Sequence, residues 1–238
     1  MWGLSWIRQI YTYDIIYRQA VKKLDHCFFL LQKDFDILLK SLPCKALWTS
    51  IHYQTIDVLE KKQFKIDGPN ILLGNSGTPE NNHLVVFDSL KVNSKSKVIT
   101  PLSYGDRTYI DKIITKGGKR YGELFKPLTS LMNPSDYHKL ISSCSVVIMP
   151  HFRQQAFGTI LIMLFGGAKV YLFKKNPLFD YFIEIGLVIH EINKELNKGL
   201  FIPLSDSEKR SNRDILSRQF SEKETLKKLK VAFDAVLG

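Results

Sequence analysis

Short, almost wholly apolar runs alternate along the chain with longer stretches in which apolar residues recur every three or four positions. Runs of strand length stand at 25–31 (DHCFFLL), 46–53 (ALWTSIHY), 70–74 (NILLG), 97–104 (KVITPLSY), 145–151 (SVVIMPH) and 169–173 (KVYLF). Continuous apolarity over so few residues marks a strand buried on both faces. Between these runs the spacing predicts helices over 6–24, over 32–42 with apolar positions at 35, 38, 39 and 42 ahead of Pro43, and over about 81–92. Further helices are predicted from Asp106 to about Lys116, over 134–144 with a cap near Ser135, over 154–166, and over 176–186 opening on Pro177. Strand followed by helix, repeated, predicts an α/β fold built on a parallel, doubly wound sheet.

A charged bridge, DVLEKKQFKIDGPN (57–70), ends in the breaker pair Gly68-Pro69, which suits a domain boundary. The expected organisation is therefore 1–56 as the end of one α/β unit, 57–205 as a complete one, and 206–238 as a helical tail. In that tail Leu226, Leu229, Phe233 and Val236 fall at amphipathic spacing, as for a helix packed on a neighbour or laid on a membrane surface.

Composition narrows the partners. The 34 Lys+Arg against 23 Asp+Glu favour anionic partners, either phosphorylated small molecules or an acidic lipid surface. Counted along the sequence the excess is spread evenly, and the aromatic-basic pattern of RNA-recognition modules is missing, so nucleic acid is not an expected partner. Cys27, Cys44 and Cys144 stand far apart in apolar surroundings and read as reduced thiols of a cytosolic protein. Neither the cysteines nor the six histidines show metal-ligand spacing, which implies a metal-free mechanism without cofactor.

In an open parallel sheet, ligands sit outside the carboxyl ends of the strands. Three predicted strands run there into loops with unusual chemistry. In NILLGNSGTPENNHL (70–84), Gly74 and Gly77 permit close backbone approach, while Asn75, Ser76, Asn81 and Asn82 offer hydrogen bonds beside a helix start. That suits a phosphate or a sugar hydroxyl, or simply a turn with an Asn cap; neither G-x-G-x-x-G nor a Walker loop is present. In PLSYGD (101–106), Ser103 and Tyr104 precede Asp106, which reads as an N-cap. In PHFRQQAFG (150–158), Arg153 supplies a rigid fork of donors suited to phosphate, and Gln154 and Gln155 suit hydroxyls or base edges. His83 and His151 are candidates for general base or phosphate ligand, against the commoner structural role of a lone histidine.

Taken together, ILLGNSGTPENNH, PLSYGDRTYI and HFRQQAFGTILIMLFGGAKVYLFKKNP, in this order and spacing, resemble the bacterial 4-acetamido-4,6-dideoxygalactosyltransferases. These are TDP-N-acetylfucosamine:lipid II N-acetylfucosaminyltransferases, or 4-alpha-L-fucosyltransferases, of glycosyltransferase family 56. The likeness runs from Trp2-Gly3 to about Pro177. It implies a GT-B glycosyltransferase: a Rossmann-like donor domain, here beside an incomplete second α/β domain. The implied donor is dTDP-linked 4-acetamido-4,6-dideoxygalactose, and the implied acceptor a polyprenyl-diphosphate-linked saccharide at the cytoplasmic face of the bacterial inner membrane, as in enterobacterial common antigen synthesis. Carried onto this chain, Arg153 and the backbone of Gly74, Asn75, Ser76 and Gly77 hold the diphosphate. Gln154, Gln155 and Tyr104 meet nucleoside or sugar, with His151, Gly158 and Asn176 completing the donor set. His83, as catalytic base, and Asn81 lie near the reacting sugar. The family's N-terminal domain is longer, and Ser5 stands where family members carry Asp, so a shortened chain is expected to need a partner chain for the acceptor side or to act as a donor-binding half.

Overall fold

The computed structural model describes residues 15–50, 56–61 and 63–237, so Trp2, Gly3 and Ser5 lie outside the described residues. In chain order the elements are α1 (Ile15–Lys22), β1 (His26–Phe29), α2 (Gln32–Ser41), β2 (Leu47–Ser50) and α3 (Asp57–Lys61). Then come β3 (Asn70–Leu73), α4 (His83–Ser89), β4 (Val98–Pro101), α5 (Arg107–Tyr121), β5 (Phe125–Leu128), α6 (Pro134–Ser142) and β6 (Cys144–Met149). The chain closes with α7 (Phe157–Gly166), β7 (Lys169–Leu172), α8 (Pro177–Glu184), β8 (His190–Glu191), α9 (Asp206–Phe220) and α10 (Glu222–Leu237). Contacts divide it into two units, Val58–Leu216 and the remainder, Met1–Asp57 with Ser217–Gly238.

In the smaller unit β1 and β2 pair in parallel, Cys27 opposite Trp48 and Phe28 opposite Thr49. Cys27 on one face packs with Phe35, Leu38 and Leu42 of α2 and its exit, and Phe29 and Trp48 join it. His26, Phe28, Leu47 and Thr49 share the other face, because side chains alternate along a strand. Phe28 and Leu47 are exposed there, at 43% and 63%.

The larger unit is built on a six-stranded parallel sheet in the order β5-β4-β3-β6-β7-β8. Its central strands are apolar on both faces: Ile71, Leu72, Leu73, Val146, Val147, Ile148, Met149, Val170 and Leu172 are all buried. Each such side chain contributes about 1.5–3 kcal/mol by leaving water. Helix α7, apolar nearly all round, is buried at Phe157, Ile160, Leu161, Met163, Leu164 and Phe165, which explains a sequence that would not suit a surface helix.

Three local readings are corrected. Helix α5 does not stop near Lys116 but runs on through Gly117 and Gly118 to Tyr121. Gly117 is required there, since a Cβ would lie 2.4 Å from the Phe125 ring. Helix α7 starts at Phe157 rather than 154, because Ala156 takes a left-handed φ of 57° and ends the loop. Strands β5 and β8 complete the sheet's two sides without having shown as apolar runs: β5 is FKPL, where Pro127 is tolerated at an edge, and β8 has only 2 residues. The predicted N-cap at Asp106 accepts from the Tyr109 N–H at 2.6 Å, and α6 is capped by Asn133, which accepts from the Asp136 N–H, rather than by Ser135.

Candidate functional site

Strands β3 and β6 are neighbours, yet the chain leaves β3 toward β4 and β5 and leaves β6 toward β7 and β8. At such a switch point the two outgoing connections diverge and open a crevice above the strand ends, where ligands of doubly wound sheets bind. The loop after β3 (74–82) and the loop after β6 (150–156) form its two sides. These are the glycine-asparagine loop and the arginine-glutamine loop singled out by the sequence.

The first loop is fastened internally. The Asn81 amide, fully buried, donates to Ser76 Oγ at 2.8 Å and Thr78 Oγ1 at 3.1 Å, while its Oδ1 accepts from the Asn75 N–H at 3.0 Å. The N–H of Gly74 donates to Ile148 O, and that of Gly77 to Tyr104 O. Gly77 O accepts from the Asp106 N–H, and Gly77 and Gly105 form a parallel bridge, sewing this loop to the one after β4. The glycines are therefore occupied by protein. A Cβ on Gly74 (φ 69°) would sit 2.3 Å from His83 Nε2, and one on Gly77 would sit 2.2 Å from Ile110 Cγ1. The amides of Gly74, Asn75 and Gly77 are thus bonded within the protein, and Asn81 holds the loop together.

Asn82 joins the two sides. It sits at φ 47°, ψ 32°, a left-handed geometry that Asn tolerates better than other non-glycine residues, at the entry to α4. Its Nδ2 donates to Glu80 O at 2.9 Å and, across the switch point, to Pro150 O at 2.8 Å. The composition of the loop drew attention to Asn82 but did not single it out, since the Pro150 contact lies 68 residues away in sequence.

His83 opens α4 with no exposed surface. The Tyr109 hydroxyl accepts from the His83 backbone N–H at 3.1 Å and lies 3.2 Å from Nδ1, within hydrogen-bond reach of the ring. Nε2 is buried without a well-formed hydrogen bond. Burial lowers its pKa to about 3, against a weaker opposing pull from the Leu73 carbonyl. A general base has to reach its proton and hold a pKa near working pH. In this arrangement His83 is held against the loop by Tyr109, with its ring enclosed and neutral near pH 7.

His151, also fully buried, is a strut of the second loop. Its Nδ1 lies 2.9 Å from Arg153 O and 2.8 Å from Asn176 Nδ2, which also donates to His151 O at 3.0 Å. Asn176 in turn accepts from the Leu178 N–H at 2.9 Å, capping α8. Burial, with the Arg153 charge adding to it, holds the His151 pKa at about 4, so the ring is neutral and no cationic phosphate ligand.

What the second loop presents outward is Arg153, Gln154 and Gln155, all half-buried. Arg153 Nε donates to Gln155 Oε1 at 3.2 Å, and Gln155 Nε2 reaches toward Ser76 Oγ at 3.5 Å, a bond at its limit. The Arg153 fork is thus held toward the first loop. Ala156, in strained left-handed conformation, then aims the start of α7 at the crevice. The first N–H groups of a helix have no intrahelical partner, and the dipole adds positive charge there. Exposed Tyr104, and Phe152 whose ring lies 4.9 Å from that of Phe173, flank the strand ends. Phe152 was not among the expected site residues. Arg153 and the start of α7 thus stand on one side of the crevice, and the polar first loop on the other.

A model of the family described as 4-alpha-L-fucosyltransferase glycosyl transferase group 56 matches residues 11–223. Among solved structures, Anabaena Alr3699/HepE, in complex with UDP and glucose, is 13% identical, with a TM-score of 0.69 over 92% of this chain and 66% of that one. A glycosyltransferase from Rickettsia africae ESF-5 is 12% identical, with a TM-score of 0.68 over 94% and 68%. Sucrose-phosphate synthase (tll1590) from Thermosynechococcus elongatus is 9% identical, with a TM-score of 0.66 over 100% and 66%. At these identities the likeness is one of fold, the GT-B glycosyltransferase fold, and the chain spans about two thirds of the length of the structures it matches.

Proposed function

Because the chain belongs to the 4-alpha-L-fucosyltransferase family, glycosyltransferase group 56, we propose that it is a glycosyltransferase whose larger unit binds a nucleotide sugar in the switch-point crevice. The observation that carries this reading is the convergence of Arg153, Gln155 and the start of α7 on one side with the Asn81-fastened loop on the other. In this reading Arg153 and the first-turn amides of α7 bind the diphosphate. Gln154, Gln155, Tyr104 and Phe152 contact nucleoside and sugar, and His83, His151, Asn176 and Asn82 fix the loops that carry them. In transfer, an acceptor hydroxyl oxygen bonds to the anomeric carbon and gives up its proton. The bond from that carbon to the diphosphate breaks, and its electron pair leaves with the nucleotide. Positive groups preorganised where that charge develops lower the barrier.

The family resemblance supports a dTDP-linked 4-acetamido-4,6-dideoxygalactose as donor and a polyprenyl-diphosphate-linked saccharide as acceptor, at the cytoplasmic face of an inner membrane. Titrating the chain with dTDP, UDP and dTDP-linked 6-deoxyhexoses tests this: the dTDP sugar is expected to bind most tightly. Tighter binding of UDP would overturn the donor assignment, and binding of none would overturn the function. Exposed Phe28 and Leu47, side by side on one face of the β1–β2 pair, favour a second reading in which a donor-binding chain turns over only with a partner chain covering that face. It predicts donor binding without transfer until such a chain is added.

A further inference from the structure

Away from the crevice, the larger unit has a second cleft of about 490 Å³ between α4 and α5, lined by Leu84, Phe87 and Asp88 from α4 and by Lys112, Lys116, Lys119 and Arg120 from α5. Along α5 these four cations fall within a single arc of about 100°. Asp111, the helix's one acid, lies a further step round it. Lys119 and Arg120 complement the negative helix end, but Lys112 and Lys116 stand too early for that. Like charges at i and i+4 cost a helix a few tenths of a kcal/mol, so the row is not a helix-stabilising pattern. Among the described residues, the ion pairs join Lys198 to Glu195, Lys209 to Asp206 and Lys227 to Glu224, and none uses these four. Between Leu84 and Tyr121 the chain carries eight Lys or Arg against three Asp, a concentration that even counting along the sequence conceals. Helix α5 runs from the crevice edge of the sheet to the opposite edge, so Lys116 to Arg120 lie about 14–20 Å along its axis from Arg107.

We propose that this cleft is a second anion site, separate from the donor crevice, taking a phosphate-bearing ligand whose apolar part rests on half-buried Leu84. The shared chemistry is a phosphate group among Lys112, Lys116, Lys119 and Arg120, with Asp88 at the rim excluding ligands that carry no compensating charge. That phosphate belongs either to a lipid headgroup or to a soluble phosphorylated molecule.

The test uses the full chain and compares the triple variant Lys112→Gln, Lys116→Gln, Lys119→Gln with wild type, with Arg153→Ala and with the control Lys194→Gln, Lys198→Gln. Circular dichroism checks that each is folded. Two probes separate the sources: inorganic pyrophosphate by calorimetry, and vesicles of phosphatidylglycerol in phosphatidylcholine against phosphatidylcholine alone by co-sedimentation. If the source is soluble, pyrophosphate binding persists in Arg153→Ala, where the crevice is impaired, and in that background it weakens about tenfold or more when the triple variant is added and is unchanged when the control is added. If the source is a lipid surface, partition onto the anionic vesicles falls about a hundredfold in the triple variant, at roughly a tenfold loss per 1.4 kcal/mol and about 1 kcal/mol per cation. Binding of neither probe by the wild type, or equal loss in the triple variant and in the control, overturns the proposal. Loss of all pyrophosphate binding in Arg153→Ala places the anion in the crevice and also overturns it.

Discussion

Gly74→Ala is the sharpest perturbation of the crevice. At φ 69° an alanine costs about 1–2 kcal/mol of backbone strain, and its Cβ would lie 2.3 Å from His83 Nε2 and 3.1 Å from Asn81 Oδ1. The His83 ring cannot swing away freely, being fully buried and held at Nδ1 and at its backbone N–H by the Tyr109 hydroxyl. Overpacking of this kind costs a further 1–3 kcal/mol or so, for a total of about 2–5. In a His83→Ala background the overlap with the ring disappears and only the strain remains. The double-mutant cycle should therefore show a coupling of about 1–3 kcal/mol, the pair being less damaging than the sum. Far-UV circular dichroism against urea suits the measurement. Trp2, Trp6 and Trp48 all precede residue 57, so tryptophan fluorescence reports the smaller unit separately. Additivity within 0.5 kcal/mol would refute the claim that Gly74 exists to admit the His83 ring.

Asn82→Gly keeps the left-handed backbone but loses both carbonyl bonds, so it should cost about 1–2 kcal/mol, and Asn82→Ala about 1 kcal/mol more from strain; donor titration should show both weakening binding, since the clamp to Pro150 is gone. Arg153→Ala should weaken nucleotide binding about 10- to 150-fold with little change in the urea midpoint, on the scale of a charged hydrogen bond of about 1.5–3 kcal/mol. The folded pKa values of His83, about 3, and His151, about 4, lie below the unfolded value of about 6.5. The unfolded chain then binds protons first, so stability is full above about pH 6.5 and falls toward pH 4, by about 2 kcal/mol per histidine at pH 5. Urea midpoints at pH 7 and pH 5 check this, and equal midpoints would contradict it.

The sheet and the crevice were legible because burial on both faces leaves apolar runs, as in NILLG, SVVIMPH and KVYLF, and because the loops after them concentrate polar residues. The edges were not. β5 has a lysine and a proline because one side of it meets no strand, and so it carries no apolar run. Gly117 and Gly118 follow the predicted helix end near Lys116, yet α5 continues through them and the first is a contact for the Phe125 ring. In the site, the residue types were legible but their division of labour was not. Gly74, Gly77, Asn81, His83 and His151 look like ligand groups in sequence, yet in the fold they meet the protein's own groups. Some of these contacts, such as Gly74 to Ile148 and Gly77 to Tyr104, join segments from different strands and depend on which strands lie side by side.

The central claim is that the crevice between β3 and β6 is the donor site and that its anion-binding half is Arg153 with the start of α7. Amide-resolved NMR during titration with dTDP tests this directly. Saturable shifts are expected at Gly158 and Thr159 and at the Arg153 Nε–H, with smaller ones at Gly74, Asn75 and Gly77, whose N–H groups are already bonded. Saturation that leaves the first turn of α7 and Arg153 unmoved, or no saturation at all, would contradict it.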